Sequence, residues 1–91
     1  MRYQHTEKTA AIYNAMIKEY WEISCDGDLE KSGLDYEDYR SSGFGLFLDC
    51  LRYDGVGVTG SRNIAEWAER HGCHVSQNGT NWTVRLQERE G

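Results

Sequence analysis

The sequence predicts an α+β fold, with two to three helices packed on a small, mainly antiparallel sheet of three strands that ends in a β-hairpin. Three observations carry this expectation. A long apolar stripe at helical spacing occupies the first quarter of the chain. A shorter helical pattern opens at Ser61 and stops at Gly72. Two alternating apolar runs flank Asn78-Gly79, the preferred pair for a two-residue hairpin turn. The 91 residues suffice for one compact domain, 1–91, because a second would lack the apolar surface to stabilise itself. Three Trp, six Tyr and two Phe supply bulk for a small core.

The first helix is expected from about Thr6, a favourable N-cap, to Ser24. Glu7, Ala11, Asn14, Lys18 and Glu22 form its polar or small stripe, and Ile12, Tyr13, Met16, Ile17, Tyr20 and Ile23 its apolar face. The segment Asp26 to Tyr39 follows, with six carboxylates against one lysine. The net charge of −5 arises there in full, leaving nine acidic and nine basic residues elsewhere. Gly27 and Gly33 predict a loop for its first half, and Asp35 an N-cap for a short helix through Tyr39 or Ser41.

Beyond Gly43-Phe44-Gly45, residues Phe44, Phe47, Leu48 and Leu51 recur at i, i+3, i+4 and i+7. Leu46, Cys50 and Tyr53 widen that stripe, which predicts a central helix ending at Asp54-Gly55. Val56 to Thr59 reads as a short strand, and Ser61 as the cap of a helix burying Ile64, Trp67, Ala68 and His71. A type I′ turn at Asn78-Gly79 would pair Gln77 with Thr80, Val75 with Trp82 and Cys73 with Val84, with Leu86 continuing the apolar face. The tail after Gln87 is polar, and fraying is expected there.

Several patterns invite a chemical reading and fail on their context. Gly55-Val56-Gly57-Val58-Thr59-Gly60 spells the dinucleotide-binding G-x-G-x-x-G, but it follows a helix rather than a strand and lacks the ribose-binding acid on a second strand. Asp26, Asp28, Glu30, Ser32 and Glu37 fall at the spacing of a calcium loop, yet Lys31 stands where glycine makes the sharp turn and Gly33 where an apolar anchor belongs. His71, Cys73 and His74 diverge between a helix and two faces of a strand, which suits neither zinc nor a Cys–His nucleophile. No cofactor, metal or enzymatic activity is expected.

Three widely spaced cysteines and a polar start without a signal-peptide core predict a cytoplasmic protein, and no stretch is long enough for a membrane span. The last helix and hairpin resemble the recognition helix and wing of a winged helix, so a nucleic-acid-binding regulator is the alternative reading. Arg62 and Arg70 are offset by Glu66 and Glu69, however, and the hairpin tip carries no base, so no direct nucleic-acid contact is expected.

The leading expectation is a binding module. Asp26, Asp28, Glu30, Asp35, Tyr36, Glu37, Asp38 and Tyr39 are the candidate partner-binding residues. Tyrosines three apart on a short helix share a face, and carboxylates around them imitate phosphates and stacked bases. Such a segment would occupy the basic surface of a host protein or nucleoprotein complex. In size, acidity and absence of catalytic motifs the chain resembles phage-encoded inhibitors of host defence, such as anti-CRISPR or anti-restriction proteins. That resemblance implies an inhibitor acting by occupation of a partner.

Overall fold

The computed structural model describes residues 4–34 and 43–86. In chain order these form α1 (Glu7–Asp26), α2 (Leu29–Ser32), α3 (Phe44–Tyr53), β1 (Val58–Gly60), α4 (Arg62–Arg70), β2 (His74–Asn78) and β3 (Asn81–Arg85). The architecture is α+β. β3 is the middle strand and pairs antiparallel with both neighbours, in the order β1-β3-β2.

Local chemistry sets the helix boundaries. Thr6 and Thr9 form a reciprocal capping box, in which each side chain meets the other residue's backbone N–H, at 3.2 and 2.8 Å. The polar stripe of α1 is exposed and its apolar face turns inward, with Met16 and Ile23 buried. At the other end, the Gly27 N–H closes onto the Ile23 carbonyl at 2.8 Å. Ser61 Oγ accepts the Ile64 N–H at 3.2 Å and starts α4 as its sequence predicts.

The core lies between the helices and the apolar side of the sheet. It gathers Met16, Leu34, Phe44, Phe47, Leu48, Leu51, Ile64, Trp67, Val84 and Leu86. α4 packs across β2 and β3, and α3 lies against β1. α1 covers α3 and the far end of α4. Its Tyr13 hydroxyl donates to the Leu48 carbonyl at 3.2 Å, and Met16 sulfur lies 3.6 Å from that of Cys73. Gly60 lets β1 approach closely: a Cβ there would stand 3.2 Å from Ile64 and 3.4 Å from Phe47.

Four expectations are corrected. The first half of the acidic segment is a helical turn, α2, because Asp28 caps it and Leu29 packs on the core. The widened apolar stripe of α3 does not turn inward: Leu46 is 70% and Tyr53 58% exposed, and Cys50 is exposed with them. Only Phe44, Phe47, Leu48 and Leu51 reach the core, so α3 covers one flank of it. The first strand begins at Val58, leaving Val56 outside it and 45% exposed.

The hairpin loop is Gly79-Thr80. Asn78 pairs with Asn81, Gln77 with Trp82 and Val75 with Val84. Gly79 has φ +65° and, among the described residues, no non-glycine residue has positive φ, the pattern of a type II′ turn with glycine first. A type I′ turn would instead force Asn78 into the left-handed region. The frame moves by two in pairing sum, so Val75, Trp82 and Val84 keep their common face. The expected helix from Asp35 and the tail after Gln87 lie outside the described residues.

Leu51 is fully buried where α3 meets the core. Leu51→Ala is expected to lower stability by about 2–5 kcal/mol. In chemical denaturation this appears as an earlier midpoint with an unchanged slope.

Candidate functional site

The acidic segment is anchored by three side chains. Leu29 is half-buried, and Ser32 and Leu34 are buried, which leaves Asp28, Glu30 and Lys31 facing outward. Asp28 Oδ1 accepts the Lys31 N–H at 3.2 Å, while its Oδ2 lies 3.4 Å from Lys31 Nζ. Ser32 Oγ donates to the Leu29 carbonyl at 2.7 Å, and the Leu34 N–H reaches the same carbonyl at 3.2 Å. The turn ends in Gly33, at φ +77°, where the Arg70 guanidinium from α4 donates to the Ser32 carbonyl. That contact places a cation at the negative end of the turn and ties α2 to α4.

Carboxylates from both neighbouring helices converge on this turn. On one side an open groove of about 540 Å³ runs between α1 and α2, lined by Lys18, Glu19 and Glu22 of the first and Asp28 and Lys31 of the second, with Ile23 buried between them. His71 closes its end, and its Nε2 forms a hydrogen bond with Glu19 Oε2. On the other side a hollow of about 400 Å³ is lined by Gly33, Asn63, Glu66, Glu69 and Arg70. Arg62 is paired with Glu66 at 3.2 Å and Arg70 is engaged with Ser32, so both arginines of α4 already bind groups of this chain.

Of the sequence-derived candidates, Asp28 and Glu30 share α2, and the backbone of Asp26 ends α1 one residue before the cap. Asp35, Tyr36, Glu37, Asp38 and Tyr39 lie outside the described residues. Glu19, Glu22, Glu66 and Glu69 were not among the candidates. Glu66 and Glu69 sit on a charge-balanced helix and Glu19 and Glu22 on α1 outside the acidic segment, and only tertiary packing brings them beside the turn.

The other patterns have structural employment. Gly55 to Gly60 carries the chain from α3 into β1, and the Gly55 carbonyl accepts the Leu86 N–H. Asp28 and Ser32, two positions of the calcium-like spacing, bond within their own turn. Cys73 is buried against Met16, and burial pushes its thiol up to about 12. Among the described residues no group of three or more His, Cys, Asp or Glu could hold a metal ion, and no helix is long and apolar enough to cross a membrane.

Comparison with known proteins adds nothing to this geometry: no family model matches the chain, and no curated protein or solved structure is significantly similar to it.

Three outcomes follow from the contacts. A Cβ at Gly33 would meet left-handed backbone strain and lie 2.8 Å from Arg70 Nη1. Gly33→Ala is therefore expected to cost about 1–2 kcal/mol, read as a lower melting temperature. The Cys73 thiol stays protonated through neutral pH, while Cys25 and Cys50 are exposed. Alkylation of the native protein at pH 8 should modify two cysteines and reach the third only on unfolding. Because folding raises this group's pKa from 9.0 to about 12, its contribution to stability is complete below pH 9 and is lost as pH climbs toward 12. A pH series of denaturation midpoints checks the sign.

Proposed function

We propose that this chain is a small acidic binding protein, and not a catalyst, that docks its acidic turn and the tyrosine-bearing segment after it on a basic, nucleic-acid-binding surface of another protein. The observation that carries the reading is the concentration of charge: the net −5 originates within Asp26 to Tyr39. Glu22 of α1 and Glu69 of α4 add carboxylates beside the described part of that segment, while Glu19 and Glu66 are engaged with His71 and Arg62.

The mechanism is electrostatic. Clustered carboxylates raise the rate of encounter with a cationic groove, and the field falls off over the Debye length, about 8 Å at physiological salt. Aromatic side chains then supply contact area at low entropic cost, which lengthens the life of the complex. A surface occupied in this way is closed to nucleic acid, the mode of action of anti-CRISPR and anti-restriction inhibitors. The working compartment on this reading is the cytoplasm, where the exposed thiols of Cys25 and Cys50 stay reduced.

No specific observation favours the winged-helix alternative. Residues 54–61, β1 among them, separate α3 from α4, whereas a helix-turn-helix pair is joined by a turn of three or four residues. The hairpin tip from Asn78 to Asn81 carries no cation.

The test compares wild type with the triple variant Asp35→Lys, Glu37→Lys, Asp38→Lys as bait in host lysate, with mass spectrometry of the retained proteins. Wild type should retain a basic nucleic-acid-binding protein at low salt, and the folded triple variant should lose it. Against the purified partner, the association rate should fall about 10- to 1,000-fold with the reversal. Equal retention by both baits, with unchanged circular dichroism, would sink the reading.

A further inference from the structure

Asn78-Gly79 turns the chain, and it also brings two reactive groups together. In an asparaginyl–glycyl pair the side-chain carboxamide carbon lies within five-membered-ring reach of the following backbone nitrogen. Glycine leaves that nitrogen unshielded, because it has no Cβ. The fold keeps both groups open. Asn78 and Gly79 are exposed at the hairpin tip, and a Cβ built on Gly79 would meet nothing within 4 Å. Among the described residues, neither the Asn78 carboxamide nor the Gly79 N–H makes a hydrogen bond. Gly79 is engaged through its carbonyl, which accepts from Gln77 Nε2 at 3.1 Å.

The remaining asparagines are shut off from this chemistry. The N–H of Ala15, after Asn14, belongs to the hydrogen-bond ladder of α1. The Ile64 N–H, after Asn63, donates to Ser61 Oγ at 3.2 Å. Trp82, after Asn81, crowds its own nitrogen with a large side chain and lies in the middle strand, opposite Gly60 and Gln77. Asparagine is a thermally labile residue, and in this fold the lability falls on Asn78.

We propose that Asn78 is a self-modification site, at which the folded chain deamidates without an enzyme. The Gly79 backbone nitrogen gives up its proton to solvent base and attacks Asn78 Cγ. An N–Cγ bond forms, the Cγ–Nδ2 bond breaks, and Nδ2 takes a proton from solvent and leaves as ammonia. Water then opens the resulting succinimide. Cleavage of the new N–Cγ bond gives an aspartate at position 78. Cleavage of the original peptide bond gives an isoaspartate, with the backbone running through the former side chain. Either way one water is consumed, one ammonia is released and one carboxylate is gained, with no change of oxidation state. Ring closure turns the Asn78–Gly79 peptide out of the strand, so the reaction passes through opening of the Asn78–Asn81 pair that ends the hairpin. The three strands contain no aspartate or glutamate, so the product places the first carboxylate on an acid-free sheet and adds one negative charge to the net −5. The isoaspartate also lengthens the backbone by one methylene where β2 meets the loop. This site is independent of the docking surface proposed above.

The test incubates the full folded chain at body temperature, at neutral and at mildly alkaline pH, for several weeks. Ion-exchange chromatography follows the charge, and peptide mapping by mass spectrometry separates aspartate from isoaspartate. A species more acidic by one charge should accumulate, faster at the higher pH, with the change mapped to position 78. Isomerisation of aspartyl bonds leaves the charge unaltered, so this readout does not count it. Asn78→Gln should lose the acidic species, because its longer side chain would have to close a six-membered ring. Asn81→Gln should keep it at the wild-type rate. The chain unfolded in urea runs in parallel and shows the rate without the fold. A folded chain that retains the Asn78 amide overturns the proposal, whether or not the unfolded chain reacts. So does an acidic species that maps to another residue or persists in Asn78→Gln.

Discussion

The indole of Trp67 lies edge-on to Phe44 of α3 at 5.3 Å between ring centroids and to His71 at 5.4 Å, with 1% of its surface exposed. Its N–H finds no hydrogen-bond partner among the described residues. An unmet donor of this kind costs about 1–3 kcal/mol. Burying a side chain of about 200 Å² contributes about 5 kcal/mol at 25 cal/mol per Å², so the ring stabilises the core despite the orphaned proton. From this anchor α4 reaches every other layer. Ala65 and Ala68, both fully buried, let it lie close on the sheet, and Ile64 meets Gly60 of β1. Arg70 holds α2, and His71, at the helix end, holds Glu19 of α1. The acidic turn therefore owes its position to a nine-residue helix remote from it in sequence.

What the sequence made legible were features whose cause is local. The α1 stripe, the Ser61 cap and the two faces of the hairpin each follow from a period or a single side-chain hydrogen bond, and all three are present. The misreadings share one physical origin. A helix apolar on most of its circumference, as α3 is, does not say how wide an arc meets the core: Leu46, Cys50 and Tyr53 extend the apolar pattern but lie beyond the buried arc. The hairpin frame depended on whether Asn78 or Thr80 joined Gly79 in the loop. Both choices put the same side chains inward, so hydrophobic pattern could not separate them.

The candidate site was legible in outline only. Charge counting located the segment, but glycines at both ends suggested loop where Asp28, Leu29 and Ser32 build a turn of helix. The glycines are its boundaries: one ends α1 and the other terminates α2 under Arg70. Nor could charge counting see that Glu19, Glu22, Glu66 and Glu69 gather there. Within α4, Arg62 pairs directly with Glu66 and Arg70 is drawn onto the Ser32 carbonyl, so the fold sets where the balanced charges of that helix stand rather than removing them.

The proposed docking surface would respond to salt in a direction set by where the charge lies. Docking of a −5 chain on a cationic groove would be an attraction between unlike fields, which added salt screens and weakens. Burial of aromatic surface at the same contact would be left almost untouched by screening. The docking reading thus separates into an encounter that slows as ionic strength rises and a contact whose lifetime, once it is made, changes little.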